Sequence, residues 1–417
     1  MKTLIRNGKI IDPANGIDRE KLDLLIDDAK IVCIGKDIST NNANIIDATG
    51  LIIIPGLIDM HVHLREPGQE HKETIQTGTK SASKGGFTSV LAMANTTPVA
   101  DNPQVIRHIL SQAKNVYANV YTVGSVTRGL LGKELVDIDE LVNAGAIALS
   151  DDGKPVMNPA LMKDALIACK EHNIPLIDHC EWIDDKYDGW VMNEGEVSKR
   201  LGVKGIPNSA EERMIERDIK LAEETEAHLH IAHVSTAGSV GLVRQAKKKG
   251  INITAEATPH HFTLIDSAVE KHGANAKINP PLRSQKDVDA VIEGLKDGTI
   301  DVIATDHAPH ADFEKAKGLN EAPFGIVGLE TCLSIVITEL VNKGHLTLFD
   351  VIAKMTINPA RILNLKKGTL SVGADADITI IDINKEWTVD PSKFESKGRN
   401  TPFAGWKLKG LAVKTIL

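Results

Sequence analysis

The sequence is poor in aromatic side chains, which make up 3% of its 417 residues, although hydrophobic residues make up 42%. Its core must therefore be built from Ile, Leu, Val and Ala, as in parallel sheets that helices cover. Cysteine is also scarce, with scattered residues at Cys33, Cys169, Cys180 and Cys332. They are too few for a disulfide framework or a cysteine-type zinc site, which indicates a reducing compartment and favours the cytoplasm.

Signals for nucleic-acid binding, export and membrane insertion are missing as well. The 48 Lys and Arg stand against 56 Asp and Glu, for a net charge of -8, and no basic run or basic-aromatic patch occurs. Nucleic acid is therefore not an expected partner. Residues 1–12 carry charges every few positions, and no later stretch approaches the roughly 18 uninterrupted apolar residues of a membrane helix. We expect neither export nor a membrane span.

The middle of the chain alternates short Val/Ile/Ala-rich runs with helical segments, which is typical of repeated βα units and a parallel sheet. Asn158 and Ser209 are the predicted N-caps of two of these helices. Eight runs are predicted strands, and eight is the number that closes a (β/α)8 TIM-type barrel. These runs span residues 56–61, 87–92, 119–123, 146–150, 174–178, 228–232, 251–256 and 301–305.

The two ends of the chain differ from the middle, because short β-type runs there are separated by turn residues. We predict that residues 1–55 and 365–417 form one small composite β-sandwich domain. The termini of a barrel can lie close together, which would permit this pairing. The predicted barrel then takes residues 56–364.

Side chains that bind metals follow several of the predicted barrel strands. In such barrels the chemistry gathers at the carboxyl ends of the strands, where distant positions converge. His61 and His63 are two apart in a strand, so both can point inward. Imidazoles and carboxylates are zinc ligands, and the set exceeds what one ion needs, so a two-metal site is expected. The strand-end residues are His61, His63, Asp151, Asp152, His179, His233 and Asp306.

Each of these residues taken alone has a structural interpretation, since a single His or Asp near a strand end is usually a hydrogen-bonded supporting residue. The metal hypothesis depends on five strand ends carrying ligand types together. Asp151 and Asp152 are adjacent, so their side chains diverge, and the pattern does not choose between them. We expect His260 and His261, after the seventh strand, and also His307, to support or orient the site.

Two stretches, DMHVHLREPG (59–68) and ATDHAPHADFEK (304–315), resemble the signatures of dihydroorotases in the amidohydrolase superfamily. The resemblance extends through SDDG, HVSTAGS, TPHH, NPPLR, EAPFG and NTPFAGW and covers nearly the whole chain. The histidine pair alone would indicate only the superfamily. The resemblance implies a cyclic-amide hydrolase that interconverts N-carbamoyl-L-aspartate and L-dihydroorotate in pyrimidine synthesis.

The resemblance also implies roles for particular residues. Hydroxide from metal-bound water would attack the ring amide, with Asp306 as general acid and base. Many relatives bridge their metals with a carbamylated lysine, but the segment AIALSDDG has no lysine before Lys154. A carboxylate bridge is therefore expected. The implied zinc ligands are His61, His63 and Asp306 for one ion, His179 and His233 for the other, and Asp152 between them.

The substrate of such an enzyme carries a carboxylate, and a guanidinium can bind it through two parallel hydrogen bonds. The resemblance gives this role to Arg65, with Asn95 beside it. It implies that Asn279 and His310 complete recognition, while the backbone of Phe324 and Gly325 reads the imide edge of the ring. The polar segment 311–325 is a predicted lid.

Two other interpretations remain open. Another cyclic-amide hydrolase, such as a dihydropyrimidinase, hydantoinase or allantoinase, would share the barrel and metals but would not need a carboxylate clamp. A non-catalytic scaffold would be expected to show gaps among the ligands, and this sequence has none. The resemblance further implies a homodimer and an association with aspartate carbamoyltransferase.

Overall fold

The computed structural model describes residues 2–183 and 189–417. The strands in this part of the chain are β1 (Thr3–Asp12), β2 (Ile17–Asp27), β3 (Lys30–Gly35), β4 (Asn44–Asp47), β5 (Ile52–Pro55), β6 (Leu57–Val62), β7 (Phe87–Ala92), β8 (Asn119–Gly124), β9 (Ala146–Leu149), β10 (Leu176–Asp178), β11 (Trp190–Asn193), β12 (Lys204–Ile206), β13 (Leu229–Ile231), β14 (Ile253–Ala257), β15 (Val302–Ile303), β16 (Ile378–Thr388) and β17 (Lys407–Ile416).

The helices lie mainly between the strands of the middle region. They are α1 (Ile75–Gly85), α2 (Pro103–Gln112), α3 (Ile138–Ala144), α4 (Pro159–Glu171), α5 (Glu196–Leu201), α6 (Asn208–Thr225), α7 (Ala237–Lys248), α8 (Ala268–His272), α9 (Gln285–Lys296), α10 (Asp312–Lys315), α11 (Gly318–Glu321), α12 (Cys332–Ile335), α13 (Leu348–Met355) and α14 (Ile357–Ile362). Among the described residues, no helix has the length and apolar character that a membrane crossing needs.

Eight parallel strands form the predicted barrel, in the order β6, β7, β8, β9, β10, β13, β14, β15. The ring closes where Val62, at the end of β6, pairs in parallel with His307, just beyond β15. The N–H of His63 donates to the carbonyl of His307 at 2.8 Å on the same seam. The α/β barrel and its eight strands are confirmed, and the aliphatic runs mark its buried strands as expected.

Strands from both ends of the chain share a second sheet. Its order is β17, β16, β5, β1, β2, β3, and β4 pairs with the other part of β1. β16 runs antiparallel to β5, with Ile380 opposite Ile53, and their side chains join a separate apolar cluster. The prediction that the two ends meet in one β unit is confirmed, whereas the exact boundaries of the two domains stay a prediction.

One of the two predicted helix caps is confirmed. The side chain of Asn158 accepts from the N–H of Ala160 at 3.0 Å, at the start of α4. The prediction for Ser209 is wrong, because α6 begins at Asn208 and its N-cap is Pro207, in an extended conformation. The N-cap thus lies two residues earlier than predicted, and Ser209 lies inside the first turn.

Replacing Asn158 with alanine should lower the free energy of unfolding by about 1 kcal/mol, because two N–H groups at the start of α4 lose their acceptor. Urea unfolding followed by circular dichroism measures this loss. Asp164, an exposed residue on the same helix, provides the control, and its replacement by alanine should change stability little. Equal stability of the two variants would contradict the assigned cap.

Candidate metal centre and substrate pocket

Six predicted metal ligands meet at the carboxyl end of the barrel, and all six side chains are buried. His61 belongs to β6, and the others follow the ends of β6, β9, β10, β13 and β15. They come from five different strands because parallel neighbours in a barrel end at the same rim. The six residues are His61, His63, Asp152, His179, His233 and Asp306.

The carboxylate of Asp152 lies at the centre of this cluster. Its Oδ1 lies 3.4 Å from Nε2 of His61, 3.7 Å from Nδ1 of His179 and 3.8 Å from Nε2 of His233. Its Oδ2 lies 3.5 Å from Nε2 of His63. Two groups of three residues therefore share one carboxylate, and within each group the ligand atoms lie within 4.8 Å of one another.

Asp306 joins the first of these groups. Its Oδ1 lies 3.1 Å from Nε2 of His63 and 3.6 Å from Nε2 of His61. Burial raises the pKa of Asp306, but the nearby histidines outweigh it and bring the pKa down to about 2, so the carboxyl group is ionised. Asp306 and His233 both have positive φ angles, of 47° and 31°, which residues other than glycine seldom adopt.

The residues fit a pair of metal ions. Nε2 of His61 is buried, and within the described chain it has no hydrogen-bond partner. Nδ1 of His179 and Nε2 of His233 lie 3.0 Å apart, and both face the shared carboxylate. Unpaired buried nitrogen atoms cost free energy, whereas neutral imidazoles and carboxylates are the donors that zinc prefers. Although burial opposes it, His61 holds the pKa of Asp152 well below its usual range.

Three of the histidines are held on the ring nitrogen that faces away from Asp152. Such partners orient a ring and select which nitrogen stays free to bind a metal. Sequence reasoning missed two of these partners, Glu256 and Glu181. Glu256 lies in an apolar strand, and Glu181 lies two residues after the predicted ligand His179. The pairs are His61 Nδ1 with Glu256 Oε1 at 2.7 Å, His63 Nδ1 with Asn95 Oδ1 at 2.8 Å, and His179 Nε2 with Glu181 Oε2 at 3.3 Å.

Asp151 turns away from the cluster. Its Oδ1 accepts from the N–H of Val126 at 2.7 Å and of Thr127 at 3.0 Å, so it fastens the loop that follows β8. Burial raises the pKa of Asp151 to about 6. Of the two adjacent aspartates, only Asp152 lies among the histidines, because the chain turns between them.

The other three histidines considered for the site lie outside both groups. His261 is engaged through Nδ1 with Thr258 at 2.8 Å and through Nε2 with the carbonyl of Pro280 at 2.9 Å, and burial lowers its pKa to about 4. His260 packs against it. Nδ1 of His307 accepts from the N–H of Gly328 at 3.1 Å. These contacts are those of supporting residues.

A pocket of about 200 Å³ lies above the cluster and opens to solvent. All six predicted substrate-binding residues line it, together with every predicted ligand except His61, which is buried beneath. The six are Arg65, Asn95, Asn279, His310, Phe324 and Gly325.

Arg65 places a charged guanidinium in the wall of this pocket. Its Nε donates to the carbonyl of Pro309 at 3.2 Å, and one terminal nitrogen lies 3.3 Å from Nε2 of His310. Burial lowers the pKa of Arg65 to about 10, so the group stays protonated at neutral pH. A fixed positive charge in a pocket lined by metal-ligand side chains favours the binding of an anionic ligand.

Several of the other predicted contact groups are already engaged within the protein. Nδ2 of Asn95 donates to Oδ2 of Asp152 at 3.1 Å, and Nδ2 of Asn279 donates to Glu181 at 2.8 Å. His310 lies 2.7 Å from the carbonyl of Phe324. The N–H of Gly325 donates to the carbonyl of Lys277 at 2.9 Å. Binding through these groups therefore requires an exchange of hydrogen bonds.

The predicted lid, residues 311–325, contains α10 and α11. Nζ of Lys315 donates to the carbonyl of Ala274, outside the segment, and to that of Pro323, within it, at 2.8 Å in each case. Phe313 is 64% exposed beside the exposed ring of His71. Closure of the segment over a substrate stays a prediction.

Residues 52–417 match the amidohydrolase family, so the chain belongs to that family. It is 56% identical to a dihydroorotase of Pelotomaculum thermopropionicum, over 100% of this chain and 97% of the relative. It is 52% identical to a dihydroorotase of Acetivibrio thermocellus, over 99% of this chain and 97% of the relative. These relatives place the chain among the dihydroorotases of the family.

Solved structures of related hydrolases share the whole fold. The dihydropyrimidinase of Brevibacillus agri superposes with a TM-score of 0.88 at 26% identity, covering 100% of this chain and 94% of that one. The L-hydantoinase of Arthrobacter aurescens gives a TM-score of 0.88 at 26% identity, covering 99% and 94%. The architecture is thus common to several cyclic-amide hydrolases, and the substrate must be argued from the pocket.

Proposed function

We propose that this dihydroorotase interconverts N-carbamoyl-L-aspartate and L-dihydroorotate at a metal centre formed by the Asp152 cluster. The observation that carries the proposal is a protonated guanidinium, that of Arg65, in the wall of the pocket above two groups of metal-ligand type. A cyclic amide with a carboxylate substituent satisfies both features, because its amide reaches the cluster while its carboxylate meets the guanidinium.

The proposed metal is zinc, two ions per chain. When bound, zinc supplies Lewis acidity that lowers the pKa of water to about 7 and polarises a carbonyl. The proposed ligands are His61, His63 and Asp306 for one ion, His179 and His233 for the other, and Asp152 for both.

Asp306 is the proposed general acid and base. During hydrolysis it accepts a proton from the attacking water and delivers it to the ring nitrogen as the C–N bond breaks. During ring closure it accepts the proton of the ureido nitrogen and returns it to the departing water. Its ionised state and its place in the pocket wall support this role.

Arg65 is the proposed carboxylate clamp. Two parallel hydrogen bonds from its guanidinium would hold the substrate carboxylate and fix the direction in which the ring lies. Asn95, Asn279 and His310 are proposed to complete recognition, with the backbone of Phe324 and Gly325 facing the imide edge.

Hydrolysis of a neutral ring is the second candidate, because the solved structures described above include a dihydropyrimidinase and a hydantoinase. Purified protein should be assayed with dihydroorotate, hydantoin and allantoin, and the metal content of the same sample measured. We expect turnover of dihydroorotate to dominate. Preference for a neutral ring would contradict the proposed substrate, and absence of both metal and turnover would support a scaffold.

Zinc analysis by plasma mass spectrometry should find about two ions per chain in wild-type protein, as expected for a centre of two metals. Replacing Asp152 with asparagine should lower this content, because the shared oxygen ligand becomes a neutral amide. Asp151→Asn, one residue earlier, is the matched control and should retain its zinc. Equal zinc content in the two folded variants would argue against the bridging role.

We also propose that the enzyme is a cytoplasmic homodimer that can associate with aspartate carbamoyltransferase. Four cysteines without disulfide partners, three of them buried, agree with a reducing compartment. Light scattering during size-exclusion chromatography, with and without the transcarbamoylase, tests both associations.

A further inference from the structure

Glu256 is a fully buried acidic residue near the end of β14, beneath the substrate pocket. Burying a carboxylate in an aliphatic interior is costly unless it is well paired. Both oxygen atoms of its carboxylate have nitrogen partners. Although burial raises its pKa, the nearby His61 and His230 lower it below the usual range. The packing of the barrel alone does not explain a buried carboxylate at this position.

The carboxylate of Glu256 contacts both halves of the candidate metal centre. Its Oε1 lies 2.7 Å from Nδ1 of His61, which belongs to the first group of ligands. The same oxygen accepts from the backbone N–H of His233, which belongs to the second group, at 3.2 Å. Asn95 and Glu181 hold a histidine ring of one group each, whereas Glu256 holds a ring of one group and the backbone of the other.

A second layer of side chains holds Glu256. Its Oε2 lies 3.2 Å from Nε2 of His230. Nδ1 of His230 lies 2.8 Å from Oγ1 of Thr254, and that hydroxyl lies 2.9 Å from Nε2 of His228. The contacts form one continuous chain across β13 and β14 that ends at His61.

The donor and the acceptor of each hydrogen bond in this series can be assigned in turn. An ionised carboxylate only accepts, so Nδ1 of His61 and Nε2 of His230 must donate. With a proton on Nε2, His230 offers Nδ1 as the acceptor for the hydroxyl of Thr254, whose oxygen in turn accepts from His228. A histidine that binds a metal is neutral, and with its one proton on Nδ1 facing Glu256, His61 offers an unprotonated Nε2, the nitrogen that lies 3.4 Å from Asp152. The chain therefore selects the tautomer of His61 that can bind a metal.

We infer that Glu256, held in place by His230, is a positioning residue that fixes the tautomer of His61 and the backbone of His233. The inference rests on the proposed function in that both contacts serve metal binding. Partners of this kind are worth about 10- to 100-fold in metal affinity. Glu256 touches neither the pocket nor the substrate, so its effect reaches the reaction only through the ligands.

The test is the zinc affinity of Glu256→Gln, measured on the purified full chain by competition with a chromophoric chelator. The neutral amide cannot accept from all three donors, so His61 or His230 loses its partner. We expect zinc to bind about 10- to 100-fold more weakly. We also expect the absorption spectrum of the cobalt-substituted protein to change, a signature that a purely structural role would not affect.

Two further comparisons separate positioning from general damage. Glu330→Gln is the control, since the side chain of Glu330 is only 4% exposed, pairs with Lys84, and accepts from Ser81 and from the N–H of Glu395. Its zinc affinity should equal that of the wild type. His230→Leu removes the donor to Glu256 and should weaken zinc binding, whereas His230→Gln keeps an N–H in place and should restore most of it.

Unchanged zinc affinity and an unchanged cobalt spectrum in folded Glu256→Gln would overturn the inference. If that variant does not fold, equal affinity of His230→Leu and His230→Gln would do the same. Failure of the proposed function would give a different experimental result. Wild-type protein would then bind zinc with the predicted dependence on Glu256 and yet leave dihydroorotate unchanged.

Discussion

Asp306→Asn should lower the turnover of dihydroorotate by about 10³- to 10⁴-fold, near the upper range for the loss of a general acid and base. The amide of asparagine cannot take up a proton at neutral pH, and it is also a poorer metal ligand. The fall should appear in kcat more than in KM, because the substrate carboxylate is held elsewhere. Assays of ring opening and ring closure should show losses of similar size.

Two checks accompany this expectation. Asp289→Asn makes the same chemical change at an exposed position of α9 and should leave turnover unaffected. Zinc content of Asp306→Asn must be measured beside kcat, since metal loss alone also stops the reaction. A variant that keeps its metal and works within tenfold of the wild-type rate would rule out Asp306 as the proton carrier.

Arg65→Ala should lower kcat/KM for dihydroorotate by about 10²- to 10³-fold, because truncating one partner of a buried, hydrogen-bonded charge pair costs roughly 2–5 kcal/mol. Arg65→Lys should recover little of the loss. An ammonium group keeps the charge but cannot donate two parallel hydrogen bonds to a carboxylate. Steady-state kinetics with dihydroorotate and with carbamoyl aspartate measure both variants.

The control for Arg65 is a substrate without the carboxylate. Any slow hydrolysis of hydantoin by the wild type should persist in Arg65→Ala, because a neutral ring makes no demand on the guanidinium. Circular dichroism should verify folding, since Arg65 also holds the carbonyl of Pro309. Undiminished turnover of dihydroorotate in Arg65→Ala would refute the clamp and favour hydrolysis of neutral rings.

Much of the fold could be predicted because it depends on local patterns. Runs of aliphatic residues mark the buried parallel strands, and their number indicates the barrel. The helix start at Asn208 was missed, because Ser209 has a side chain that N-caps favour, whereas the observed N-cap, Pro207, makes no side-chain cap hydrogen bond. Domain boundaries resist prediction for a similar reason, because β5 leads into β6 across a single residue, Gly56.

The candidate site, too, could be predicted only in part. Its ligand types follow strand ends and can be read from the chain, whereas the partners that orient them lie on other strands. Glu256 is 195 residues from His61, and no spacing rule joins them. The engaged backbone of Gly325 was equally invisible, because its partner, Lys277, is remote in the sequence.

The pairing of β16 with β5 also bears on the order of events during synthesis. In the complete sheet β5 lies between β1 and β16, so until β16 has been synthesised one edge of β5 has no partner strand. An open edge invites pairing with foreign strands. β5 passes almost directly into β6, the strand that carries His61. The sheet next to this strand is therefore completed only when translation is nearly over.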